Sequence, residues 1–117
     1  MTLKDYQVNW MDGFQGAITV CNTEGIIVYM NDFSIRQLEK YGGEKLLGTN
    51  LLDCHPEPSK TKLREMLVTP TENTYTTEKN GVANVVTQKP WMEHGKFCGV
   101  VELSFELPSG MVKHVRD

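Results

Sequence analysis

Cysteine is scarce and unpaired: Cys21, Cys54 and Cys98 are the three in 117 residues, and no two form a Cys-x-x-Cys pair. Such spacing supports neither a disulfide framework nor a structural zinc site, and the expectation is three reduced thiols in a cytoplasmic protein. Basic residues are outnumbered: 12 Lys and Arg stand against 15 Asp and Glu, for a net charge of −3. They are scattered, so no patch tracks phosphates and a nucleic-acid partner is not expected. No apolar run approaches the roughly 20 residues that a membrane span needs. Residues 1 to 7 lack the apolar region of a secretory signal. Gly42-Gly43 has no phosphate-loop lysine after it, and Ser34, Ser59 and Ser104 lack the Gly-x-Ser-x-Gly frame of a nucleophile elbow. No repeat and no low-complexity segment is present. The length fits one domain, long enough to bury a core without staples.

What is present is concentrated in the last third. Two turn signals, Asn80-Gly81 and His94-Gly95, separate three runs rich in Val, Thr, Tyr, Phe and Trp between Asn73 and Leu107. Asn and Gly tolerate the positive φ of a type I′ turn, so three consecutive antiparallel strands are expected. Nearer the start, Gly16–Cys21 and Ile26–Met30 read as two more strands around the turn Asn22-Thr23-Glu24-Gly25. Between the strand groups the pattern is helical. Asn31 and Asp32 offer caps for a helix over Phe33–Tyr41, which Gly42-Gly43 ends. Glu44–Leu52 reads as one or two turns broken at Gly48, and Asp53–Pro58 is irregular. Ser59 then starts a helix to Val68.

This order predicts an α+β fold: a five-stranded antiparallel sheet closed by its terminal strands, with several short helices on one face and a cleft between. The apolar helix face (Leu63, Met66, Leu67) is expected to meet an apolar sheet face (Val101, Leu103, Phe105). The resulting candidates for a ligand pocket are Ile35, Leu38, Leu63, Leu67, Val85, Val101 and Leu103. Residues 1–13 form a separate expectation. Leu3, Tyr6, Trp10 and Phe14 recur at spacings of 3, 4 and 4, one stripe of an amphipathic helix. So short a helix must pack on something, its own sheet or a second copy of the chain. Residues 14–107 are then the domain proper, and 108–117 a polar tail.

The motifs, taken in order, resemble those of a PAS domain. Gly16-Ala17-Ile18 and the run Asn22 to Asn31 are similar to that family's opening hairpin, with Asn22 where many members carry Asp. Leu46-Leu47-Gly48 with Leu51-Leu52, and His55-Pro56 before the long helix, match its central steps. Lys89-Pro90-Trp91, Gly95 and Gly99-Val100-Val101 resemble its closing hairpin. The resemblance implies a PAS-like sheet and a non-catalytic sensor or interaction module of bacterial type, acting as a homodimer on a small-molecule ligand or a signalling protein. No effector segment follows within the sequence, so the expected module stands alone. A cofactor is not required. A flavin adduct would need an Asn-Cys-Arg-Phe-Leu-like motif, and Leu52-Asp53-Cys54-His55-Pro56 lacks it. Haem in such domains is commonly held by a histidine on the long helix, and Lys60–Val68 has none.

Two alternatives stay open. Cys54 and His55 are both good metal or haem donors, giving a redox or gas sensor. Their plainer reading is a loop histidine that caps the next helix or faces solvent, beside a small buried thiol. A small enzyme, such as an isomerase, would need a titratable group in the cleft. The sequence places none there, because Glu102, Ser104 and Glu106 alternate with Val101, Leu103 and Phe105 and so read as a polar sheet surface. Trp91 reads as core or rim packing, with contact to a partner or ligand as its rival.

Overall fold

The computed structural model describes residues 8–117. Five strands, β1 (Ala17–Asn22), β2 (Ile27–Met30), β3 (Asn73–Lys79), β4 (Val82–Glu93) and β5 (Lys96–Glu106), make one antiparallel sheet in the order β2-β1-β5-β4-β3. The terminal strand groups therefore join edge to edge, β1 against β5, from Ala17 opposite Ser104 to Asn22 opposite Gly99. Both hairpin turns have positive φ at their two residues: 53° and 78° at Asn80-Gly81, 52° and 78° at His94-Gly95. These are the turns whose twist suits adjacent antiparallel strands.

Between β2 and β3 lie α1 (Asp32–Gln37), three short 3-10 turns ending with Leu51–Cys54, and α2 (Ser59–Val68). Helix α1 stops short of Tyr41, which falls instead in a 3-10 turn, Glu39–Tyr41. Asn31 fixes the start of α1. Its side-chain oxygen accepts from the N–H groups of Ser34 (2.9 Å) and Ile18 (3.0 Å), and its amide donates to the carbonyls of Gly16 (2.9 Å) and Met11 (3.0 Å). One fully buried side chain thus caps a helix, pins β1 and anchors the N-terminal segment.

The inner face of the sheet packs on the helices. Cys21, Ile27, Met30 and Val100 meet Leu46, Leu51, Leu63 and Met66, with Ile35, Leu38 and Leu67 packed against that cluster. Gly99 allows β1 and β5 to approach there. Its φ is +147°, and a Cβ on it would lie 1.9 Å from the Cys21 carbonyl oxygen. Trp91, opposite Gly99 across the hairpin, donates from Nε1 to that same oxygen at 3.1 Å.

The outer face carries Val20, Val101, Leu103, Phe105 and Val85. Strand alternation and the registers Val20–Val101, Ile18–Leu103 and Val85–Phe105 put them together, away from the helices. This corrects the expectation that Val101, Leu103 and Phe105 face inward. Period-two alternation shows which residues share a face but not which face is covered. Here both are partly apolar, and Val100, fully buried in the core, decides the matter.

The expected N-terminal helix divides in two. Leu3 and Tyr6 lie outside the described residues. Residues 8–10 have no regular structure and 11–13 form a turn, so this part is not helical. Asn31 holds the backbone there, through the Met11 carbonyl, and the Tyr29 hydroxyl donates to the Asp12 carboxylate. Trp10 and Phe14 still meet, edge to face with ring centres 5.7 Å apart, and Phe14 stands in the same way on Phe105 at 6.4 Å. The segment crosses the outer face as an aromatic strap rather than as a helical stripe.

Candidate functional site

A cavity of about 320 Å³ opens between the inner sheet face and the segment that carries Leu51 to His55. Ala17 and Thr19 of β1, Val86 and Asn84 of β4, and Glu102 and Ser104 of β5 form its floor. Thr77 and Lys79 of β3 flank it, while Gln37, Leu38, Leu51, Cys54 and His55 form its roof. Its volume sits at the lower end of the range for small-molecule sites, and its lining is mixed, with Ala17, Leu38, Leu51 and Val86 apolar and most of the other side chains polar.

The centre of the site is His55 with Glu102. Asn50 caps the 3-10 turn by accepting from the Leu52 N–H at 2.9 Å, and His55 ends the turn in an extended conformation, φ −115° and ψ 127°. Pro56 enforces that conformation, since its ring excludes a helical residue before it. The imidazole is thereby turned into the cleft. Its Nδ1 lies 2.9 Å from the Leu51 carbonyl oxygen, and its Nε2 lies 3.6 Å from Glu102 Oε2. The two side chains are 13% and 17% exposed, so the pair is largely withdrawn from water. Both neighbours of the ring are acceptors, a geometry that suits the imidazolium, which has two N–H donors. The Glu102 carboxylate accordingly raises the His55 pKa above the ordinary 6.5, burial opposes this, and the Leu51 carbonyl adds to the rise.

Neighbouring groups respond to the same carboxylate. Burial, then the charges of Asp53 and Glu102, push the Cys54 thiol up, so it is held as a thiol rather than a thiolate. Burial followed by Glu102 raises the Tyr75 phenol. Thr19 and Ser34 share a buried hydroxyl–hydroxyl hydrogen bond of 2.7 Å that ties the cleft floor to α1. Gln88, opposite Glu102 on β4, is 1% exposed; its Oε1 accepts from Asn73 at 3.1 Å, while its Nε2 lacks a partner among the described residues.

Of the seven expected pocket residues, Leu38 alone lines this cavity. Leu63 is buried in the core beside it, and Ile35 and Leu67 pack on that core. Val85, Val101 and Leu103 are on the outer face, for the reason of parity given above. Cys54 and His55 do reach the cleft; the His55 ring is turned inward rather than to solvent, and Cys54 is half-buried beside it. Glu102 was the residue missed. Its signal was its register two residues from Val100 on the same side of β5, which becomes visible once Val100 is known to be buried.

No family model matches the chain, and no curated protein sequence matches it either. Solved structures do. The sensory-box sensor histidine kinase of Vibrio cholerae superposes with a TM-score of 0.63 at 18% identity, covering 91% of this chain and 90% of that one. The PAS domain of BvgS from Bordetella pertussis gives 0.60 at 16% identity, covering 92% and 88%. VqmA of Vibrio cholerae, a LuxR-type receptor seen as a dimer, gives 0.66 at 16% identity; 93% of this chain matches 54% of that one, and a further VqmA structure has DPO bound. The chain therefore has a PAS-like fold, an α+β domain built on a five-stranded antiparallel sheet.

Proposed function

We propose that this chain is a non-catalytic sensing module of signal transduction, which binds a small molecule in the cleft and reports it through contacts of the outer sheet face with a second copy or a signalling partner. The observation that carries the reading is the cleft itself: about 320 Å³ with a charged pair, His55 and Glu102, in a mixed lining of polar side chains and the apolar Ala17, Leu38, Leu51 and Val86. The dimer reading is supported by the apolar outer face and by Trp10, which is 54% exposed at its edge. VqmA, of like fold, is both a dimer and a ligand-bound receptor by its reported structures. A cytoplasmic location is supported by three free thiols, and no helix among the described residues is long and apolar enough to cross a membrane.

The pair in the cleft also favours a second reading, a small enzyme using His55 as general acid or base. It is the weaker one. Both ring nitrogens already face chain acceptors, so proton transfer to a substrate must first break one of those contacts. Haem or metal ligation by His55 needs the Nε2 lone pair, which is free only after that nitrogen gives up its proton beside Glu102. Native mass spectrometry of gently purified protein tests the first reading. It is expected to show a dimer that releases a small molecule on denaturation; a bare monomer that binds nothing from a metabolite extract overturns it.

A further inference from the structure

We propose that the cleft selects small organic cations, primary amines or amidines, which bridge His55 Nε2 and the Glu102 carboxylate and expel a proton as they bind. The inference rests on the cleft being a ligand site and adds the chemistry of what it takes.

The Leu51 carbonyl is the key group. At 2.9 Å from Nδ1 it accepts a hydrogen bond, and so it keeps the proton on Nδ1. When His55 loses a proton, the one lost is therefore that on Nε2, and the lone pair left behind points beside Glu102. The neutral imidazole and the carboxylate then form two acceptors 3.6 Å apart with one negative charge between them. An ammonium or amidinium carries several N–H donors and one positive charge, so it can serve both acceptors at once. The balance is simple: the ligand arrives as a cation, its N–H groups replace the Nε2 proton as the positive partner of Glu102, and that proton leaves to solvent. No bond other than N–H is broken.

The rest of the lining agrees. Glu102 is the sole carboxylate among the lining residues, and the other charged groups there are His55 and Lys79. Lys79 pairs with Val82 while Glu102 pairs with Gln88, six residues further along β4, so their backbones are about 20 Å apart along the strand at 3.3 Å per residue. Of the titratable groups near the pair, Glu102 from β5 faces His55, Cys54 from the same segment as His55 lines the cavity, and Tyr75 from β3 is raised by the Glu102 charge. The residues contributed by α1 and its C-cap, β1 and β4 (Gln37, Leu38, Ala17, Thr19, Asn84, Val86) carry no charge. An anion placed at the pair would face Glu102 with no other cation beside it than His55.

The test uses shape-matched probes: benzylamine, benzyl alcohol and benzoate, and butylamine, butanol and butyrate. Titration calorimetry in two buffers of different ionisation enthalpy reads both affinity and protons exchanged. One amine is expected to bind on the order of tenfold or more tighter than its alcohol and carboxylate. It should release protons below the His55 pKa, and Glu102→Gln should remove the preference. His55→Asn, with folding checked by circular dichroism, should keep some amine affinity but abolish proton release. Tighter binding of a carboxylate, proton uptake by the amine, or indifference to Glu102→Gln overturns the proposal while leaving the ligand site standing. Failure of all six probes, together with a bare mass for the purified protein, brings down the ligand reading as well.

Discussion

Replacing Glu102 by Gln keeps the shape of the side chain and removes its charge, leaving the His55 imidazolium, 13% exposed, without its counter-ion. Breaking a fully buried pair from one side costs about 3–5 kcal/mol, and a hydrogen bond to a charged group contributes about 1.5–3. This pair borders an open cleft and stands at 3.6 Å, so the loss should be nearer 1–2 kcal/mol. The sign with pH follows from the raised His55 pKa. A group bound more tightly in its protonated form stabilises the fold below its unfolded value, 6.5, and that contribution disappears as the pH rises through the higher folded value. Glu102→Gln should therefore lower the melting temperature by about 4–8 °C near pH 5.5, at about 4 °C per kcal/mol for a domain of this size, and by little near pH 9. His55→Asn in the Glu102→Gln background should add almost nothing at acid pH. Circular dichroism melts of the wild type, Glu102→Gln, His55→Asn and the double variant at both pH values are the assay. An equal penalty at both, or a larger one at alkaline pH, refutes the pairing.

Three further outcomes follow from the packing. Asn31→Ala loses the α1 cap and strands the Ile18 N–H and the Gly16 carbonyl, so urea denaturation should show a loss of about 3 kcal/mol or more. Gly99→Ala places a methyl 1.9 Å from a backbone oxygen at a φ of +147°, and should cost more than about 3 kcal/mol or abolish soluble expression. Trp10→Ala should leave the monomer's melting temperature within about 3 °C yet reduce the dimer fraction seen by light scattering, because its ring is 54% exposed beside the outer face.

Much of the architecture was written locally. Asn80-Gly81 and His94-Gly95 name their own turns, Asn31 caps the helix it precedes, and Gly42-Gly43 takes the positive φ that ends a helical stretch, at 124° and 56°. The site was harder to read because local apolarity pointed the wrong way. On β5, Val101, Leu103 and Phe105 are more apolar than Val100, Glu102 and Ser104, yet the helices cover the second set. That choice reversed the floor of the cleft, turning Glu102 and Ser104 inward and Val85, Val101 and Leu103 outward. The part of the N-terminal stripe within the described residues departs from a helix for a local reason. Its aromatic spacing was real, and Trp10 and Phe14 do touch, but the Asn31 amide and Tyr29 hydroxyl claim the backbone and the Asp12 carboxylate there, and the segment forms a turn instead. His55 was visible as a residue but not as a pair, since its partner lies 47 positions away in sequence and meets it through the sheet alone.

The central claim is that a small molecule occupies the space between His55, Glu102 and the inner sheet face. Methyl-selective NMR of Leu- and Val-labelled protein, titrated with the best-binding amine, addresses it directly. Leu38, Leu51 and Val86, which line the cavity, should shift together and saturate at one site. Val101 and Leu103, on the opposite face, should move little. Saturable shifts confined to Val101 and Leu103, with the cleft methyls unmoved, would contradict the account.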